Sequence, residues 1–117
     1  MLDIIGSYWI QVTAPGSLFS LEYTTDPFPD GTNVYANISL SAFNTGFPDN
    51  SPDPNQKSTA IAEIISYSVY LDGQEAGPIS ATAPPANGLF VNNCAKMTFR
   101  LSGQYIAAKA LINIFQF

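Results

Sequence analysis

Among 117 residues, the side chains able to do acid–base or nucleophilic chemistry are nine carboxylates, one thiol and no imidazole. Without histidine the chain can build neither a Ser-His-Asp nor a Cys-His apparatus, nor any metal site that depends on imidazole. Cys94 alone forms no intrachain disulfide and no four-thiolate zinc site. It is either a buried, idle thiol or half of an intermolecular disulfide. The carboxylates Glu22, Glu63 and Asp72 fall on or beside strands at no spacing that would set up glycoside hydrolysis. Asp49, Ser51, Asp53 and Asn55 alternate as calcium ligands do, yet Pro54 and Ala60 stand where the loop needs a glycine and a bidentate acid. Asn37-Ile-Ser39 matches a glycosylation acceptor but lies in the middle of a strand pattern. The residues thus assign no catalytic group, no metal and no cofactor. What remains is aromatic. Trp9, Tyr8, Tyr23, Tyr35, Phe43, Tyr67, Tyr70 and Tyr105 could stack on a sugar, or pack within the core and between subunits.

The elements that must position these groups come from a chain of one domain's length, enough to bury roughly 65% of its unfolded surface. Charged residues are only 11% of it, while Ser, Thr, Asn and Gln number 33, so much of the surface is neutral and polar. A content of 46% hydrophobic residues excludes disorder. The net charge of −5 argues against nucleic acid, which asks for a basic face. All nine acids lie in residues 1–75 with only Lys57, whereas residues 76–117 hold Lys96, Arg100 and Lys109 and no acid. Interleaved strands would average the two halves out; segregated ones would make an acidic and a weakly basic pole suited to head-to-tail stacking. No apolar run approaches the ~18 residues of a membrane helix, and residues 1–6 lack the basic start and length of a signal peptide. The expectation is therefore no membrane partner, and either a mature product or a chain that reaches its destination outside the general secretory route, as by cell lysis, virion assembly or deposition on a spore.

Alternation of period two runs through the chain. Tyr8, Ile10 and Val12 alternate with polar neighbours, as do Phe19, Leu21 and Tyr23. The clearest strand carries Val34, Ala36, Ile38, Leu40 and Ala42 in one phase. Residues 44–58, with three prolines, read as a long exposed loop. Ala60 to Leu71 reads as a strand with Ile65, Tyr67, Val69 and Leu71 facing one way, and Asp72-Gly73 as a hairpin turn leading to a short strand near 78–83. Residues 84–88 are a turn cluster. Met97, Phe99 and Leu101 alternate in the next strand, and Ala110, Ile112 and Ile114 in the last, whose other face holds Leu111, Phe115 and Phe117. The pattern predicts an all-β, antiparallel two-sheet sandwich of about eight strands, a jelly roll or an Ig-like fold. Ile38, Leu40, Met97, Phe99, Ile112 and Ile114 form its expected core.

The ends stand apart. Met1, Leu2, Asp3, Ile4 and Ile5 form an apolar arm joined through Gly6 to a single domain at 7–117. Such an arm either completes its own sheet or adds to the edge of another copy. Trp9, Phe43, Cys94, Phe115 and Phe117 are the expected intersubunit contacts. The order of elements from the strand closing on Asn44-Thr-Gly46, through Leu71-Asp-Gly73 and the Lys96–Leu101 strand, to Ile112, Ile114 and Phe115-Gln116 resembles endospore appendage subunits and related spore-surface β-sandwiches. The resemblance covers about residues 33–117. It implies a subunit of a fibre assembled by sheet augmentation through N-terminal connectors. Those connectors carry cross-linking cysteines, and residues 1–10 here contain none. The expected function is a non-enzymatic, self-assembling subunit of an extracellular or spore-surface fibre whose partner is itself. The alternative is a carbohydrate-binding module or virion fibre domain that meets a glycan with exposed aromatics.

Overall fold

A computed structural model describes residues 2–12, 18–43, 59–81 and 86–117, with residues 42 and 43 by backbone alone. The described residues form eight strands: β1 (Asp3–Val12), β2 (Leu18–Thr24), β3 (Val34–Phe43), β4 (Thr59–Leu71), β5 (Gln74–Ser80), β6 (Gly88–Val91), β7 (Cys94–Gln104) and β8 (Ala107–Gln116). Sheet A runs β1-β8-β3-β6 and sheet B runs β2-β7-β4-β5, every pair antiparallel. The pairs β1·β8, β2·β7, β3·β6 and β4·β5 are nested, as in one long hairpin rolled up on itself. That order is a jelly roll and not the Ig-like alternative, whose sheets join other strands.

The core lies where the inward phases of β3, β8, β4 and β7 meet. Val34, Ala36, Ile38, Ile64, Met97, Phe99, Leu101, Ile112 and Ile114 are all buried there. Alternation alone places most of them, because every second side chain of a strand shares a face. Leu40 departs from the expected core and is 41% exposed. It has the inward phase, but β6 begins at Gly88 opposite Asn37, so among the described residues no strand flanks β3 on that side near Leu40. Ile65 also leaves the face expected of it. Register shifts between Ile64 and Ser66 and between Ser68 and Val69 put Ile64 inside before Tyr67 and Val69 resume the pattern. The hairpin at Asp72-Gly73 is present, with φ of 53° and 79° as tight hairpins require. Its second strand starts at once with Gln74 rather than near residue 78. The four-residue β6 follows the turn cluster and is too short for periodicity to show. The loop 44–58, with its calcium-like spacing, lies outside the described residues.

One end of the sandwich is tied by Asn93. This residue adopts φ 53° and accepts from Gly31 N–H at 2.6 Å through its side-chain oxygen. Its side-chain NH2 donates to the Tyr70 carbonyl at 2.9 Å, and its backbone N–H to Asn33 Oδ1 at 3.0 Å. Cys94 N–H donates to Thr32 O, and Tyr70 OH to Phe28 O. Asn93, through side chain and backbone together, and Tyr70 thus tie segment 28–33 to the ends of β4 and β7.

Candidate functional surface

The register of sheet A assembles its outer face from four distant segments. Ile4 of β1 lies opposite Phe115 of β8, which lies opposite Tyr35 of β3, which lies opposite Phe90 of β6. The rings touch: Tyr35 and Phe90 centroids are 4.5 Å apart, Tyr35 and Phe115 6.0 Å, and Phe90 and Phe117 5.4 Å. Ile4 and Phe90 are 60% and 63% exposed, and Phe117 is exposed as well. The next row is polar. Ser7 Oγ donates to Asn113 Oδ1 at 3.1 Å, and Asn113 Nδ2 to Asn37 Oδ1 at 3.4 Å. Asn37, the glycosylation-like asparagine, is therefore one member of an amide ladder across the sheet. Beyond it Trp9 is exposed opposite Leu111, with the Lys109 ammonium 4.7 Å from the Trp9 ring centroid. Lys109 is the only charged residue in the outward phase of this sheet among the described residues.

Sheet B carries the charges instead. Arg100 Nε donates to Glu63 Oε1 at 2.9 Å, and its Nη2 reaches the same oxygen. Glu22 lies opposite Arg100 on the other side. Lys96 pairs with Glu75 at 3.4 Å. These pairs neutralise part of the charge asymmetry of the sequence. Asp26, Asp30 and Asp72 remain in the segments and turns of the Asn93 end, and Asp3 pairs with Gln116 beside them. Interleaving and segregation both occur, in different places. Glu63 is buried where Arg100 holds it.

The two long sides of the sandwich differ. On one, Ala86 and Asn87 stitch the sheets together, accepting from Ile64 N–H at 2.7 Å and Ile38 N–H at 2.9 Å. The edge strands there are guarded, since β5 holds Pro78 and β6 has only four residues. On the other side β1 and β2 meet through Tyr8 and Tyr23, whose ring centroids are 4.9 Å apart. There β1 presents a ten-residue edge without proline, interrupted by a single register shift between Ile4 and Gly6. Gly6 lets the Tyr8 ring lie over the backbone, where a Cβ would come within 2.8 Å of it. A cleft of about 550 Å³ opens beside this edge, with Ile5, Tyr8, Asp26, Phe28, Asp30 and Gln116 among its walls. Among the described residues no lysine or arginine lines it. Burial, a hydrogen bond with Tyr8 and the nearby Asp26 push the Tyr23 hydroxyl up to about 12.

Of the residues singled out by sequence, the arm segment Asp3–Ile5 extends β1 along its own β8, so in the single chain it takes the first of its two uses. Phe117 follows a β8 that is flanked on both sides by β1 and β3, and Phe115 and Trp9 share the outer face of sheet A. Cys94 corrects the expectation of an intersubunit contact. It is wholly buried beneath that tied end, and burial raises its thiol from 9.0 to about 12. Met1 and the Phe43 side chain lie outside the described residues. Sequence reasoning missed Phe90, because a four-residue strand gives no periodic signal. Among the described residues no three His, Cys, Asp or Glu side chains come together to hold a metal. Comparison with protein families, with curated proteins and with solved structures finds no match for this chain.

Proposed function

We propose that this chain is a non-enzymatic structural subunit that associates with further copies of itself into a fibre or layer outside the cell or on a spore surface. The observation that carries the reading is the free β1 edge. Ten residues of edge backbone without proline, longer than the seven of the β2 edge beside it, are a template for strand addition, and Leu2, Ile4 and Ile5 there are exposed. The resemblance to spore appendage subunits points the same way. Removing residues 1–5 shortens this edge but leaves Gly6–Val12 paired with β8. The truncated chain should stay folded by circular dichroism and form no filaments in negative-stain microscopy, where the full chain does. Filaments that persist after the truncation would sink the edge mechanism.

A second reading, a glycan-binding module, is favoured by the cleft beside β1. There an exposed Tyr8 and the carboxylates of Asp26 and Asp30 combine a stacking surface with acceptors for sugar hydroxyls. A dispersed monomer retained on a glycan array, with retention lost in Tyr8→Ala, would replace the first reading by this one.

A further inference from the structure

We propose that the outer face of sheet A is a homotypic interface, on which a second copy of this chain packs with the same face. The inference rests on the self-association reading and names a surface distinct from the β1 edge. Its first support is segregation of charge. Every ion pair of the described residues lies on sheet B, while the outer face of sheet A holds aromatic, aliphatic and amide or hydroxyl side chains and a single lysine. Depletion of charge with enrichment of aromatic residues is the composition of interface centres.

Area is the second support. Ile4, Trp9, Phe90 and Phe117 are 60%, 56%, 63% and 44% exposed, and Tyr35, Leu111 and Phe115 are partly so. With large side chains covering ~150–250 Å² each, they leave roughly 500 Å² of apolar surface on one face. A stable interface takes about 800 Å² per partner, somewhat over half of it apolar, so this face supplies the required amount once its polar rows are counted. A two-fold axis would set the aromatic row of one copy on that of the other, with the Ser7–Asn113–Asn37 ladders available to pair across it.

Ring orientation favours a protein over a sugar. The interplanar angles are 40° for Tyr35–Phe90, 31° for Tyr35–Phe115 and 74° for Phe90–Phe117. These rings make a corrugated surface into which side chains interdigitate, whereas a saccharide chain lies on rings presented flat.

Sedimentation velocity on the full chain and on Phe90→Ser, Trp9→Ser and Leu18→Ser tests the interface. Leu18 is 77% exposed in the outward phase of sheet B and serves as the apolar control. The parent should sediment as a dimer or larger at ~100 μM, Phe90→Ser and Trp9→Ser should each weaken association by about tenfold or more, and Leu18→Ser should leave it unchanged. The truncation of residues 1–5, which also removes Ile4 from the rim of this face, should lose filaments and weaken the dimer less than Phe90→Ser or Trp9→Ser does. A monomeric parent, equal effects of all three serine variants, or unaltered association of both face variants would overturn the interface. Filaments that vanish on truncation but survive both face substitutions would retain the function and reject this face; a face-dependent dimer that never forms filaments would do the reverse.

Discussion

Cys94 shows how far environment decides what a side chain does. Its thiol is enclosed, its Sγ 3.5 Å from the Lys96 carbonyl, and burial holds its proton up to about 12. A thiolate is the reactive form, so Cys94 should resist alkylation in the native protein at pH 8 and react fully in denaturant, which mass spectrometry would read. Rapid native labelling would show the core open at this point. Linkage gives the pH dependence. Both Cys94 and Tyr23 keep their protons longer when folded, so the unfolded chain alone ionises first, near 9 and 10. Their contribution is complete below about pH 9 and is lost as pH rises towards about 12, so the melting temperature should fall across that window. A melting temperature constant to pH 12 would contradict it. Phe99 is wholly buried between the sheets, and Phe99→Ala should cost about 3–5 kcal/mol in a denaturant titration. A loss under ~1 kcal/mol would mean that the inward phase of β7 is misassigned.

At the scale of elements, register does the work. Gly103 of β7 passes against Ala60 of β4 so closely that a Cβ would collide with the Thr59 carbonyl oxygen and stand 2.9 Å from the Ala60 Cα. Both obstacles are backbone and cannot turn aside. Gly103→Ala should therefore cost about 1–3 kcal/mol and loosen amide-exchange protection at the joined ends of β4 and β7. Unchanged protection there would show that the strands part without cost. In the other sheet, the registers of β1, β8, β3 and β6 bring Ile4, Phe115, Tyr35 and Phe90 into one row. A one-residue slip of β8 would turn that row inward and the core outward.

For the whole molecule, edge pairing alone is a weak joint. Covering the exposed parts of Leu2, Ile4 and Ile5 is worth at most a few kcal/mol, at ~1.5–3 kcal/mol for each full burial. Immobilising backbone costs ~1–2 kcal/mol per residue, so a second contact is needed to raise the effective concentration of the edge. A neutral face supplies such a contact with little dependence on ions. Between ~0.05 and ~0.5 M salt, association should change by less than about tenfold. A steep loss with salt would instead place the joint at the aspartates of the Asn93 end.

The sequence by itself determined the phase of most strands, the Asp72-Gly73 hairpin and the core of Ile38, Met97, Phe99, Ile112 and Ile114. These are local properties: alternation sets which side chains share a face, and a tight turn needs residues that accept positive φ. Tertiary structure alone decided the jelly-roll nesting over an Ig-like order, the short β6, the exposure of Leu40 and the burial of Cys94. It also decided that Ile4, Phe115, Tyr35 and Phe90, up to 111 positions apart in the chain, stand side by side. Which strands become neighbours depends on pairings between distant segments, and the same alternating pattern satisfies many of them. Only the packed sandwich, which must close one core and satisfy every buried backbone group at once, selects among those pairings.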